Sequence, residues 1–173
     1  MNNTLSTPLW QPSARQVSET NLAKFTKDLK LPNDYTILHA WSVDYKDLFW
    51  RAVWKHCKIV GDIGSDRVLI NENKLLESTF FPDATLNFAE NLLHNRGNQL
   101  AIISHLENGE QHRLTRNQLL EQVHALSSQF KNFNLEMGDR VAAFMPNTHE
   151  TVTTMLAATT LGGTFTSCSP DFG

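Results

Sequence analysis

Residues 138–173 read GDRVAAFMPNTHETVTTMLAATTLGGTFTSCSPDFG, and they constrain the fold more than any other stretch because they spell a β-α-β crossover. Residues 140–145 (RVAAFM) are a short apolar run after a Gly-Asp turn, the pattern of a strand covered on both faces as in a parallel sheet. Pro146 ends that run, and Asn147 or Thr148 is placed to cap a helix whose apolar positions Val152, Met155, Leu156 and Thr159 recur at helical spacing. Glu150 falls in its first turn, where a carboxylate suits the positive end of the helix. Gly162-Gly163 stops the helix, and residues 164–169 (TFTSCS), small and β-branched, read as a second strand. A strand reached through a helix in this way lies parallel to the first with a right-handed connection. Ligands of open α/β sheets sit outside the carboxyl ends of such strands, which is where Pro170-Asp171-Phe172-Gly173 falls.

The preceding residues divide by composition near Gly97. Residues 1–18 are polar, with two prolines and no period, and read as an extended arm that lays Trp10 against the body. Residues 19–31 carry Leu22, Phe25 and Leu29 on one helical face, and Pro32-Asn33-Asp34 ends that helix. A second helix starts from a cap at Asp44, with Leu48, Phe49, Ala52, Val53 and His56 as its apolar stripe and Trp50 and Trp54 at i,i+4 beside it. Residues 67–71 suit a short strand, and residues 86–96 (LNFAENLLHNR) a helical stretch ended by Gly97. Residues 100–105 and 110–114 flank the turn Glu107-Asn108-Gly109 as a hairpin. Thr115 and Gln118 then form a capping box ahead of a helix with Leu119, Val123, Leu126, Phe130 and Phe133 on one face. The fold class expected is α/β: a helical amino-terminal appendage (1–97), followed by the beginning of a mostly parallel β-α-β sheet domain (98–173) that these residues leave incomplete.

Composition excludes several functions. The chain has 173 residues, 40% of them hydrophobic, enough for one core or one domain with an appendage. Fifteen Lys and Arg stand against 18 Asp and Glu with no clustered run, so neither nucleic acid nor another polyanion is an expected partner. No apolar run approaches the roughly 20 residues a membrane helix needs, and the start MNNTLSTPLW has neither the basic nor the apolar region of a signal peptide. A cytoplasmic location is expected.

Candidate chemistry is sparse. The seven histidines never occur as HxxxH or beside a cysteine, and Cys57 and Cys168 match no metal spacing, so no metal site is expected. Cys168 reads as a small residue on a buried strand, since no partner base can be named. His149-Glu150 reads as two exposed residues of a first helical turn, and Asn87 and Asn91, at i,i+4, as residues bonding nearby backbone. Asp171-Phe172-Gly173 spells the kinase metal-binding triplet without any of the other kinase motifs.

Five segments in order, PLWQPS (8–13), WSVDYKDLFWRAVW (41–54), FFPDATLNFAENLL (80–93), LTRNQLLEQV (114–123) and the GDRVAAFMPN…SPDFG crossover, resemble the adenylate-forming acyl-CoA synthetases. The aromatic-rich and LNFAEN segments resemble the branch acting on acetate and acetoacetate, and the SPDFG ending favours acetoacetate. The resemblance implies the amino-terminal part of an enzyme that joins an acid to CoA at the expense of ATP, through an acyl-adenylate. It also implies ATP, Mg²⁺ and CoA as ligands of the whole enzyme. The phosphate loop, ribose-binding Asp and catalytic Lys of that family lie downstream of SPDFG, so no catalytic residue and no cofactor are expected in these residues alone, and the remainder of the synthetase is the expected partner. In acetyl-CoA synthetases a Phe-Gly-Gly segment after the equivalent strand lines the CoA channel. Ser169, Pro170 and Asp171 stand there by order along the motif, and Pro and Asp in place of the two glycines imply a channel wall that does not touch phosphate. An acetate- or propionate-activating relative is the alternative, as is a non-enzymatic module presenting Trp10, Trp41, Trp50 and Trp54 as an exposed surface. The unfinished sheet implies self-association.

Overall fold

The computed structural model describes residues 8–172, which form two compact units: one of residues 8–59 with Ile63–Asp83, the other of Val60–Asp62 with residues 84–172. The composition shift near Gly97 falls inside the second unit.

The first unit holds helices α1 (Ala14–Ser18), α2 (Asn21–Asp28), α3 (Tyr35–Asp44) and α4 (Lys46–His56), and strands β1 (Leu69–Ile70) and β2 (Thr79–Phe80). Residues 14–18 are helical where an extended arm was expected, because Ser13 and Gln16 cap each other's backbone in a capping box. Trp10 does not lie on the body; it is 70% exposed. Asp34, read as part of a helix end, also starts α3: its Oδ1 accepts from the Thr36 and Ile37 backbone N–H groups at 2.8 and 3.1 Å. Asp44 is therefore the last residue of α3 and not a cap. Tyr45 (φ −128°, ψ 58°) breaks the chain between the two helices, and α4 starts without a side-chain cap.

Phe25 and Leu38 are buried, and Phe25 meets Phe49 edge-on at 6.1 Å between centroids. Trp41 packs on Phe49, Trp50 on Phe49 and Phe80, and Trp54 on Phe81, all with centroids within 6.0 Å. Trp41 and Trp50 thus meet at Phe49 in one aromatic cluster, Trp54 pairs separately with Phe81, and Trp10 and Trp50 keep exposed faces. β1 and β2 pair antiparallel, Leu69 opposite Phe80. Arg67 closes on Asp83 through Nη2 and both carboxylate oxygens, at 2.7 and 2.9 Å, and the Ser65 hydroxyl donates to the same carboxylate. Those two hydrogen bonds, Ser65 first, hold the Asp83 carboxyl below its ordinary value of 3.8.

The second unit holds α5 (Phe88–Leu93), the hairpin β3 (Leu100–His105) and β4 (Gln111–Thr115), α6 (Arg116–Asn132), β5 (Arg140–Phe144), α7 (His149–Thr160) and β6 (Thr164–Cys168). The hairpin turns at Asn108-Gly109, where Gly109 takes φ 85°, and Thr115 is both the end of β4 and the N-cap of α6, completing the expected capping box with Gln118. The core is Ala89, Leu114, Leu119, Val123, Leu156 and Ala157, at the meeting of α5, α6, α7 and the hairpin. Val123 and Ala157 are fully buried, and the Ser127 hydroxyl donates to the Val123 and Ala157 carbonyls at 2.7 and 3.2 Å, joining α6 to α7.

β5 and β6 are parallel, from Arg140 opposite Thr164 to Phe144 opposite Cys168. The expected crossover is present, and β5 and β6 form a two-stranded sheet. Burial on both faces is not found: along β5 only Ala143 is buried, and Phe144 is 61% exposed. Within the described residues α7 covers one face and nothing is laid on the other. Cys168, expected on a buried strand, is exposed for the same reason. Among the described residues no helix is long and apolar enough to cross a membrane.

Candidate functional site

Parallel pairing places the carboxyl ends of β5 and β6 side by side, so the segments that follow them, 145–148 and 169–172, are neighbours. The Met145 N–H still donates to the Cys168 carbonyl at 3.4 Å, and the two chains part beyond it. Such a crevice is the usual ligand position of an open α/β sheet.

On the β6 side the chain turns at once into a single 3₁₀ turn, Pro170–Phe172. Ser169 organises it. Its hydroxyl donates to Asp171 Oδ2 at 2.8 Å and accepts from the Asp171 N–H at 3.3 Å, and the Phe172 N–H donates to the Ser169 carbonyl at 3.2 Å. Pro170, with φ fixed and no N–H, suits the first position of such a turn. Ser169 is half-buried while Pro170 and Asp171 are exposed. The hydroxyl and carboxylate are engaged with each other, and the exposed charge on the turn is negative, so the turn is no anion cradle.

The β5 side carries groups the sequence reading did not join. Thr148 donates through its hydroxyl to Glu150 Oε2 at 2.5 Å, and the Thr151 hydroxyl donates to the Pro146 carbonyl at 2.7 Å, which fixes the first turn of α7 against the end of β5. His149, expected to be exposed, has only 14% of its side chain accessible and lies 5.6 Å from the His112 ring of β4, centroid to centroid. Its Nδ1 is 3.2 Å from Glu150 Oε2, at an angle unsuited to a hydrogen bond. The Glu150 carboxyl is held below its ordinary value of 4.5, mainly by the Thr148 hydroxyl, with smaller attractions from His149 and His112 against a burial effect of opposite sign. The one signal in the sequence was a Thr-His-Glu run at a helix start. His112 lies 37 positions before His149 and carries no local mark of the contact. Among the described residues no group of three or more His, Cys, Asp or Glu is disposed to hold a metal ion.

Asn87 and Asn91 lie away from this crevice, Asn87 at the carboxyl end of α7. Asn87 caps α5 through Oδ1, which accepts from the Glu90 N–H at 3.0 Å, while its Nδ2 donates to the Thr159 and Thr160 carbonyls at the end of α7. Asn91 accepts from the Val60 N–H and donates to the Val60 carbonyl, both at 2.8 Å, and donates to the Asn87 carbonyl at 2.9 Å. Their amides are used up by backbone, which makes both structural.

The AMP-binding enzyme family matches residues 88–173, from the start of α5 through the crossover, and the chain belongs to that family of adenylate-forming enzymes. Over nearly its whole length it is similar to the amino-terminal part of acetoacetyl-CoA synthetases. Identity to the acetoacetyl-coenzyme A synthetase of Rhizobium meliloti (strain 1021) is 40% over 171 residues, which are 96% of this chain and 26% of that protein. Identity to the acetoacetyl-CoA synthetase of Xenopus tropicalis is 31% over 172 residues, 95% of this chain and 25% of that one. The solved acetoacetyl-CoA synthetase from Streptomyces lividans matches with a TM-score of 0.86 at 34% identity, covering 96% of this chain and 27% of that chain. The chain thus spans about a quarter of the length of the curated relatives it matches.

Proposed function

We propose that these residues form the amino-terminal part of an acetoacetate–CoA ligase, which converts acetoacetate, ATP and CoA to acetoacetyl-CoA, AMP and pyrophosphate. The observation that carries the reading is the similarity to acetoacetyl-CoA synthetases along the whole chain, aromatic helices and crossover alike. In this reading the helical first unit is an appendage, and the residues after Gly97 open the adenylate-forming α/β domain.

Activation of a carboxylate at the α-phosphate builds negative charge on phosphate oxygens, which requires cationic and backbone donors held in place. Among the described residues the segments that follow β5 and β6 carry two carboxylates, Glu150 and Asp171, and no Arg or Lys. Its residues do not suit the phosphates of MgATP, and the groups for that half of the chemistry belong elsewhere in a longer chain. For CoA the same crevice suits a different task. Ser169, Pro170 and Asp171 form a turn locked by its own side chains, a rigid wall along which an uncharged pantetheine arm can pass while the carboxylate keeps the diphosphate away.

The test is made on the longest chain that contains these residues, with acetoacetate-dependent exchange of pyrophosphate into ATP followed by CoA-dependent release of AMP. Exchange supported by acetate or propionate and not by acetoacetate moves the substrate to the alternative acids. No exchange with any short acid overturns the reading.

A further inference from the structure

At the opposite end of α7 from the β5–β6 crevice, a cleft of about 460 Å³ opens among α5, α6 and the last turn of α7. Glu90 and His94 line it from α5, Arg96 from the segment after it, Leu120 and His124 from α6, and Thr160 from α7. We propose that this cleft binds a small phosphate-type oxyanion at a site separate from the crevice that follows β6.

Arg96 is the one fixed cation that lines the cleft. Arg96, His94 and His124 face a cleft in which Glu90 is the one carboxylate. Arg96 makes no ion pair within 4.0 Å and no hydrogen bond among the described residues, so its five donors are available. A planar guanidinium is suited to two-point contact with phosphate oxygens. His94 has a different part. Its Nδ1 lies 2.7 Å from the Asn91 carbonyl and donates to it, which leaves Nε2 of the neutral ring as an acceptor for the P–OH of a hydrogen phosphate. The ring of His124, at the middle of α6, makes no hydrogen bond among the described residues, while its carbonyl accepts from the Ser128 hydroxyl at 2.9 Å.

The carbonyl end of α7 opposes an anion, since the last turn of a helix carries partial negative charge. Asn87 reduces that opposition, because its amide takes up the Thr159 and Thr160 carbonyls at 3.0 and 3.2 Å. Two acceptors that would repel an oxyanion are thereby already bonded. What remains against the anion is Glu90, which stands apart from Arg96 by more than ion-pair distance.

The experiment is a titration of the isotope-labelled 173-residue chain with inorganic phosphate at constant ionic strength, followed by NMR of the Arg96 side chain and the His94 and His124 rings. Saturable shifts at millimolar phosphate, absent with chloride, are expected. Arg96→Gln, at an exposed side chain, should leave the melting temperature unchanged and weaken binding about tenfold. Glu90→Gln should tighten binding about two- to threefold by removing the opposing charge. Glycerol 3-phosphate binding more tightly than phosphate supports an ester as ligand, and weaker binding supports the free anion. Shifts that rise linearly with phosphate and chloride alike, unchanged binding in Arg96→Gln, or weaker binding in Glu90→Gln each overturn the proposal. None of these readouts depends on ligase activity.

Discussion

Replacing Asn91 by Ala should destabilise the second unit by about 3 kcal/mol. The side chain makes three hydrogen bonds, two to Val60 and one to the Asn87 carbonyl, all between 2.8 and 2.9 Å in a partly buried setting. Each is worth about 1 kcal/mol net, and the half-buried Val60 N–H and carbonyl lose the partner that Asn91 supplies to both. Asn87 divides its work and so allows a finer test. Asn87→Ser keeps an oxygen for the α5 cap and loses only the two bonds to the α7 carbonyls, at about 2 kcal/mol, whereas Asn87→Ala loses these and the cap, at about 3 kcal/mol. Asn87→Asp keeps the cap but sets a carboxylate against the carbonyl end of α7, so its cost should shrink as the pH falls and the acid is protonated. The assay is urea unfolding followed in parallel by far-ultraviolet circular dichroism and tryptophan fluorescence. All four tryptophans precede Ile59 and report the first unit, so the dichroism transition should move more than the fluorescence one. An Asn91→Ala midpoint matching the parent, or equal costs for Asn87→Ser and Asn87→Ala, would show that these amides do not hold the unit together.

The 173-residue chain alone should catalyse no acetoacetate-dependent exchange of pyrophosphate into ATP, because its crevice offers no cation to the phosphates; exchange above a blank refutes this. In the longer enzyme, Asp171→Ala should change the KM for CoA while leaving adenylate formation nearly intact, and equal losses in both half-reactions would make Asp171 a turn residue only. The isolated chain should self-associate through the open β5–β6 sheet, where Phe144 is 61% and Phe172 82% exposed; a stable monomer by light scattering at high concentration refutes it. Thr148→Val should raise the Glu150 carboxyl toward 4.5 by removing the hydroxyl that is the main cause of its depression. A depressed carboxyl stabilises the fold above its unfolded value and loses that contribution as pH falls through the folded one, so the variant's stability deficit should narrow below about pH 4. A deficit that stays constant from pH 7 to pH 3 contradicts this.

The elements legible in the sequence are those whose signals are local. The hairpin shows in an Asn-Gly pair between two runs, α6 in Thr115 and Gln118 three residues apart, and the crossover in an apolar run, a helical period and a Gly-Gly stop. Each signal is completed within one turn or a few residues, so the chain need not be folded for it to be read. The same locality misled at Asp34 and Asp44. Both are good capping residues, and only the break at Tyr45 decides which helix each belongs to.

Tertiary structure decided the rest. Asn87 bonds carbonyls 72 and 73 positions away and Asn91 a backbone 31 positions away, so the roles of the two asparagines in LNFAEN exist only once α5 has met α7 and the 60–62 segment. His149 is covered by a ring brought up from β4, which no period at the start of α7 encodes. The exposure of β5 and of Cys168 reverses what their composition implied, since apolar residues record the cover a strand is built to receive, and only the packed chain fixes which faces α7 reaches.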